Sequence, residues 1–178
     1  MTVRLMGAGS RHYRRLMVFV DGSNLLIQLC KELEITNFRP ERPPRSILTS
    51  AEKLISKTTN MSRYSSEFAH IRRYWFSSYA GNDNDYSSLR IILRELDFEP
   101  VLFKKHQDKK EKGVDIALTK EMLVNAFNSN FDIAILFAGD EDYVSLVNEL
   151  KRYGPIIMGV FLTMDYHLIY NLHLIIFN

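Results

Sequence analysis

The alternation of short apolar segments with longer amphipathic ones is the feature that most limits how this chain can fold. The helix-like stretches show apolar residues at helical spacing, whereas the short segments are rich in β-branched and aromatic residues. Such an order favours a parallel sheet covered by helices. We therefore predict an α/β fold with a mainly parallel sheet of about five strands, at 17–20, 71–80, 100–103, 133–138 and 156–161.

The same pattern places the helices and the loops. Ser23 is expected to cap the first helix, and Gly154 is expected to end the last one. A final edge strand is expected at 174–177. The stretches 36–44, 62–66 and 104–112 are too polar or too rich in proline to pack, and we interpret them as loops. Helices are predicted at about 23–34, 46–58, 86–96, 114–128 and 143–153.

Length and composition predict one domain with one sizeable core. The chain has 178 residues, of which 46% are hydrophobic, and this suits a single domain at 16–178 behind a basic arm at 1–15. The apolar run at 16–20 is too short for a signal peptide or a membrane span. A single cysteine, Cys30, allows no intrachain disulfide. We therefore expect a cytoplasmic protein that does not insert into a membrane.

Carboxylates follow two of the predicted strands and open one of the predicted helices. Asp21 comes directly after the first strand, Asp140 and Asp142 follow the fourth, and Asp115 begins a helix. The carboxyl ends of parallel strands meet at one edge of a sheet, so these side chains are expected to converge. Converging carboxylates repel one another unless a cation neutralises them. Oxygen ligands favour Mg²⁺ or Mn²⁺.

Charge is distributed unevenly along the chain. Residues 38–75 carry eight Lys or Arg against three acids, whereas residues 113–150 carry seven acids and one Lys. An acidic site flanked by basic segments suits a polyanion whose backbone is bound while one phosphate meets a metal ion. The alternative is that these basic segments are ordinary solvated surface.

Three sequence blocks, taken together, resemble the NYN domain family, whose members are relatives of PIN-domain nucleases. The blocks are VFVDGSNL at 18–25, KGVDIAL at 112–118 and DIAILFAGDEDY at 132–143. They occur in the family's order and at roughly its spacing. The resemblance covers about 16–175, and the joint match is far more specific than any single block.

The resemblance implies a three-layer α/β/α PIN-like fold and metal-dependent cleavage of RNA phosphodiesters. It also implies that the acidic quartet binds Mg²⁺ or Mn²⁺ and serves in catalysis. Ser23 and Asn24 are then expected to hydrogen-bond the phosphate or to hold Asp21 in place, and Lys112 to clamp the RNA backbone. The apolar run 168–177 is expected either to support a homodimer or to be buried in the core. The residues that match the quartet are Asp21, Asp115, Asp140 and Asp142.

Several alternatives stay open at this point. Asp21, Ser23 and Asp142 are also good helix caps, and Asp115 suits the dipole of a first helical turn. After the fifth strand the family usually shows Ser, Leu and an Ala-Asp pair, where this chain has Asp165, Leu168 and Leu172-His173. The absent acid favours a PIN-like module that binds RNA or protein without cleaving it.

Two further interpretations carry less weight. One is a phosphatase or phosphotransferase with an aspartyl nucleophile. It is disfavoured, because such enzymes usually have a second Asp where this chain has Ser23. Trp75, Tyr79 and Tyr86 are candidates for stacking on bases. Aromatic residues in and after a central strand are more often part of the core, which is the interpretation we favour.

Overall fold

Six strands of the described residues, numbered along the chain, form one sheet in the order β3-β2-β1-β4-β5-β6. The computed structural model describes residues 14–61, 68–105, 113–139, 142–162 and 172–177. The first five strands are parallel, and β6 pairs antiparallel with β5. The strands are β1 Arg14–Asp21, β2 Phe68–Tyr79, β3 Glu99–Lys104, β4 Ile133–Phe137, β5 Ile156–Leu162 and β6 Leu172–Phe177.

In the described part of the chain, five helices cover the two faces of the sheet. Helices α1, α2 and α3 pack on one face, and α4 and α5 pack on the other, as their buried residues show. A short 3-10 turn at Lys151–Tyr153 extends α5. The helices are α1 Gly22–Glu32, α2 Arg45–Met61, α3 Asp83–Glu95, α4 Val114–Phe127 and α5 Tyr143–Leu150.

Strand β1 shows why the core has two halves. Leu16, Val18 and Val20 face the first three helices, whereas Met17 and Phe19 face α4 and α5. All five side chains are buried. A strand with apolar residues at every position must be covered on both faces, as a central parallel strand is. The α/β prediction, with three layers and a mainly parallel sheet, is confirmed.

The ends of the elements differ from the sequence prediction in informative places. Asp21, not Ser23, caps α1, because its side chain accepts a hydrogen bond from the Asn24 N–H. Strand β1 begins at Arg14, so the last two residues of the predicted basic arm pair within the sheet. Gly154 ends the last helical segment with φ of 89°, a left-handed conformation that glycine adopts without strain.

Some predictions concern parts of the chain outside the described residues. These are the basic arm up to residue 13, the loop at 62–66, most of the lysine-rich loop at 104–112, and the segment 163–171 with Asp165 and Leu168. The division into an arm and a domain remains a prediction. Within the described residues, no helix has both the length and the apolar character that crossing a membrane requires.

Candidate metal centre

Two of the predicted carboxylates meet at the carboxyl edge of the sheet. Asp21 is the last residue of β1, and Asp115 lies in the first turn of α4. Both contact the hydroxyl of Tyr143, the first residue of α5. The Tyr143 oxygen lies 3.1 Å from Asp21 Oδ2 and 3.1 Å from Asp115 Oδ1. Residues from three elements thus converge within about two hydrogen-bond lengths.

Tyr143 has one hydroxyl hydrogen for two carboxylate neighbours. Burial raises the pKa of Tyr143 well above its usual value, and the charges of Asp21 and Asp115 raise it further. The hydroxyl therefore keeps its proton and can donate it to one carboxylate at a time. The other oxygen contact brings two electron-rich atoms together. That arrangement becomes favourable when a cation or a further proton lies between the groups.

The immediate surroundings of Asp21 hold its carboxylate in place. The residue is only 5% exposed, and its Oδ1 accepts a hydrogen bond of 3.0 Å from the Asn24 backbone N–H. The side-chain Oδ1 of Asn24 is buried, with no hydrogen-bond partner among the described residues. A buried oxygen without a partner is costly unless a ligand or an ion satisfies it.

Two glycines allow side chains to approach the site closely. A Cβ on Gly22 would lie 2.3 Å from atoms of the Trp75 ring, so α1 can pack this tightly on β2 only with glycine there. A Cβ on Gly139 would lie 2.6 Å from Asn24 Oδ1 and 1.7 Å from Gln28 Nε2. The side chains of Asn24 and Gln28 therefore fill the space beside the end of the strand that leads to Asp140.

The remaining predicted site residues are placed as follows. Ser23 is buried, and its Oγ accepts a 3.4 Å hydrogen bond from the Ser78 N–H. Asp142 is exposed just before α5, and its side chain does not cap that helix. Asp140 and Lys112 lie outside the described residues. Within the described part of the chain, no three Asp, Glu, His or Cys side chains are grouped closely enough to hold a metal ion.

The aromatic residues of β2 and α3 that were candidates for base stacking belong mainly to the core, which is the interpretation that the sequence favours. Trp75 is 1% exposed and packs edge-on against Phe98 with ring centroids 5.3 Å apart. Tyr79 is also buried, and its ring lies 5.2 Å from that of Tyr86. Neither Trp75 nor Tyr79 presents a face for stacking on a base.

Sequence reasoning missed Tyr143 as a member of the site. The sequence pattern predicts only that it begins a helix, although it follows directly after the acidic cluster 140–142. The available signal was its polarity. A tyrosine on the buried face of a helix needs a partner for its hydroxyl, and the nearest acids at the sheet edge are suitable acceptors.

The fold is a three-layer α/β/α sheet whose carboxyl edge brings two carboxylates together, an arrangement that PIN-like folds share. The chain belongs to the NYN domain family, because the model of the NYN domain matches residues 15–170, nearly the whole chain. NYN domains are part of the PIN-like nuclease group. The sequence resemblance is thereby confirmed.

Solved structures add a likeness in fold. A protein of unknown function from Vibrio parahaemolyticus is similar with a TM-score of 0.54 and 21% identity, over 83% of this chain and 81% of that chain. Phosphoribosylglycinamide formyltransferase from Brucella melitensis gives a TM-score of 0.31 and 10% identity, over 86% of this chain and 59% of that chain, which is too low to bear on the fold. No curated protein matches the chain.

Proposed function

We propose that the protein is a ribonuclease that hydrolyses RNA phosphodiesters with Mg²⁺ or Mn²⁺. The observation that carries this proposal is the meeting of Asp21 and Asp115 at one hydroxyl, 3.1 Å from each. Two carboxylates from distant parts of the chain lie at the sheet edge where α/β proteins bind their ligands. Membership of a nuclease-related family supports the same conclusion.

The residues present fit a hard divalent cation. Asp21 and Asp115 offer carboxylate oxygens, and Asn24 offers a buried amide oxygen without a described partner. An all-oxygen donor set suits Mg²⁺ or Mn²⁺ better than Zn²⁺. We infer that Asp140 and Asp142 complete the set, on the strength of the sequence resemblance. When bound, the ion supplies charge neutralisation at the phosphate and an activated water.

The residues of the chain contribute position and charge. The Asn24 N–H and the Tyr143 hydroxyl fix the orientation of the Asp21 carboxylate, since both contact it. Burial of Asp21 excludes water from that side. Asp115 is exposed, so the open side of the site faces solvent, from which an RNA strand can approach.

Cleavage of a labelled single-stranded RNA with Mg²⁺ or Mn²⁺ tests the proposal. Asp21→Asn keeps a good helix cap, so its fold should be preserved. We expect Asp21→Asn, Asp115→Asn and Asp140→Asn each to lower the cleavage rate at least about 100-fold, because even partners that only support a metal ligand contribute 10–100-fold. Addition of EDTA should abolish cleavage in the wild-type protein.

Asp97→Asn is the matched control. Asp97 is exposed at the opposite edge of the sheet, before β3, and has φ of 63°, which asparagine tolerates well. Its cleavage rate should equal that of the wild-type protein. Activity that is the same in Asp21→Asn and wild-type protein contradicts the proposal. RNA that binds but stays intact under all conditions points instead to a binding module that does not cleave.

A further inference from the structure

A basic cleft lies at the same edge of the sheet as the acidic site. The cleft has a volume of about 700 Å³ and is lined by residues 38–42, by Ala80 and Gly81 after β2, and by Lys105 after β3. Strand β2 lies beside β1 in the sheet, β3 lies beside β2, and all three strands are parallel. Neighbouring strands lie about 5 Å apart, which puts the cleft about 5–10 Å sideways from Asp21. Asp21 pairs with Phe76, and Ala80 lies four residues further along β2, so the cleft also lies about 13 Å beyond Asp21 along the strand direction.

The lining of the cleft carries a net positive charge. It contains Arg39, Arg42 and Lys105, against the single acid Glu41. Lys105 Nζ and the Glu41 carboxylate form an ion pair. Burial acts to raise the pKa of Glu41, but the hydrogen bond from Lys105 and the charges of Lys105 and Arg39 outweigh it, so the pKa is lowered. Because Lys105 and Glu41 neutralise each other, the net positive charge of the cleft comes from the guanidinium groups of Arg39 and Arg42.

Hydrogen bonds attach the loop that lines the cleft to the edge of the sheet. The Ala80 N–H donates to the Glu41 carbonyl at 3.0 Å, and the Lys105 N–H donates to the Tyr79 carbonyl at 2.9 Å. The Arg42 Nε donates to the Ala80 carbonyl at 3.0 Å. The loop that carries the arginines is therefore tied to the end of β2 by these bonds and to the end of β3 by the Glu41–Lys105 ion pair. The Arg42 side chain is thereby held at this edge of the sheet.

We propose that this cleft binds the backbone phosphates of the RNA strand whose scissile bond lies at the acidic site. The inference rests on the proposed function and names a binding surface for its substrate. Carboxylates at the site repel a polyanion, so binding needs cations nearby on the path of the strand. Arginine is suited to this task, because its planar group donates two hydrogen bonds to a phosphate.

Fluorescence anisotropy with a short labelled single-stranded RNA in EDTA tests the cleft without cleavage. The double variant Arg39→Gln/Arg42→Gln should bind about 25-fold more weakly at about 0.1 M salt, and its slope of log affinity against log salt should be smaller by about 1.4, as for two lost phosphate contacts. Arg39→Gln alone, at an exposed position, should lose about fivefold. This single variant removes charge without removing the bond from Arg42 to Ala80.

The matched control is Arg94→Gln/Arg152→Gln. These arginines lie in the last turns of α3 and of the segment after α5, at the opposite edge of the sheet. The control has the same net charge as the cleft variant and should bind RNA like the wild-type protein. Equal losses in the two double variants, or no loss in the cleft variants, overturn the inference.

Cleavage measurements separate this inference from the proposed function. Metal-dependent cleavage with unchanged KM in the cleft variants overturns the cleft and leaves the nuclease proposal standing. Weakened binding in the cleft variants, with no cleavage by the wild-type protein, supports the cleft and overturns the nuclease proposal. A competition measurement tests the ligand class. If an acidic peptide displaces the RNA when both are present at the same concentration of negative charges, the cleft binds a protein partner and the assignment to RNA is overturned.

Discussion

The Tyr143 hydroxyl is the point at which three elements of the fold contact each other through polar atoms. Its ring is buried between the sheet and α5, with an exposed fraction of 4%. Its oxygen contacts carboxylates that end β1 and begin α4. Hydrogen bonds to charged groups are the stronger ones in proteins. The hydroxyl should therefore position the carboxylates in the metal-free protein as well as in the metal-bound one.

Tyr143→Phe tests that positioning role. The ring keeps its packing, and the lost hydrogen bond to a charged partner should lower the free energy of unfolding in EDTA by about 1.5–3 kcal/mol, as urea denaturation would measure. Excess Mn²⁺ should reduce the difference, because an ion held by the same carboxylates offsets their repulsion. Tyr153→Phe, at an exposed position, serves as the control. A Tyr143→Phe protein as stable as wild type in EDTA contradicts the positioning role.

At the scale of elements, an ion pair joins β1 to the start of β4. Arg15 Nη2 donates to Asp132 Oδ1 at 2.8 Å, and Arg15 Nε donates to Oδ2 at 3.2 Å. The Arg15 backbone N–H also donates to Asp132 Oδ2 at 2.8 Å, and the Asp132 N–H donates to the Arg15 carbonyl at 2.9 Å. The contact aligns the amino ends of the two strands whose carboxyl ends lead to Asp21 and Asp140.

The pH dependence of Asp132→Asn tests this contact. The hydrogen bond from Arg15 lowers the pKa of Asp132 more than burial raises it. A lowered pKa in the folded state stabilises the protein above the unfolded-state value, near pH 4, and this contribution is lost as the pH falls through the folded-state value. Asparagine keeps one acceptor oxygen for the Arg15 N–H and Nε, and it removes the charge together with the bond from Arg15 Nη2.

We expect Asp132→Asn to lower the free energy of unfolding by about 1 kcal/mol at pH 7, the upper part of the range for a solvent-screened pair. The side chains are 46% and 38% exposed, which limits the effect. Below about pH 4 the difference from wild type should shrink. Urea unfolding of both proteins at pH 7 and below about pH 4 measures this difference in the free energy of unfolding. A difference that stays constant over this pH range excludes the ion pair as its cause.

At the scale of the whole molecule, the sequence predicted the sheet and its edge better than the contacts at that edge. Alternation of apolar segments was sufficient for the parallel strands, because each central strand is covered on both faces and shows it in composition. The convergence of Asp21 and Asp115 followed from topology. The Tyr143 contact did not, because side-chain partners depend on distances that spacing alone does not supply.

The basic cleft is a second feature that the sequence alone does not predict. The excess of Lys and Arg over 38–75 was visible in the sequence, but it includes residues that have different places in the fold. Arg73 pairs with Glu52 beneath α2, whereas Arg39 and Arg42 line the cleft at the sheet edge. The strand order β3-β2-β1 brings the latter two to the same edge of the sheet as Asp21. Charge counts along a chain cannot separate the two groups.

Metal binding should stabilise the molecule as a whole. A ligand that binds only the folded state, at 100 times its Kd, adds about 2.7 kcal/mol, which for a chain of this size is a rise in Tm of about 5–10 °C. We expect Mn²⁺ to raise the Tm of the wild-type protein and of Asp97→Asn, and to leave that of Asp21→Asn nearly unchanged. Differential scanning fluorimetry measures the Tm, and isothermal titration calorimetry gives the Kd that sets the concentrations. The same rise in Asp21→Asn as in wild type means that the ion binds away from Asp21, and it contradicts the metal centre even where RNA is cleaved.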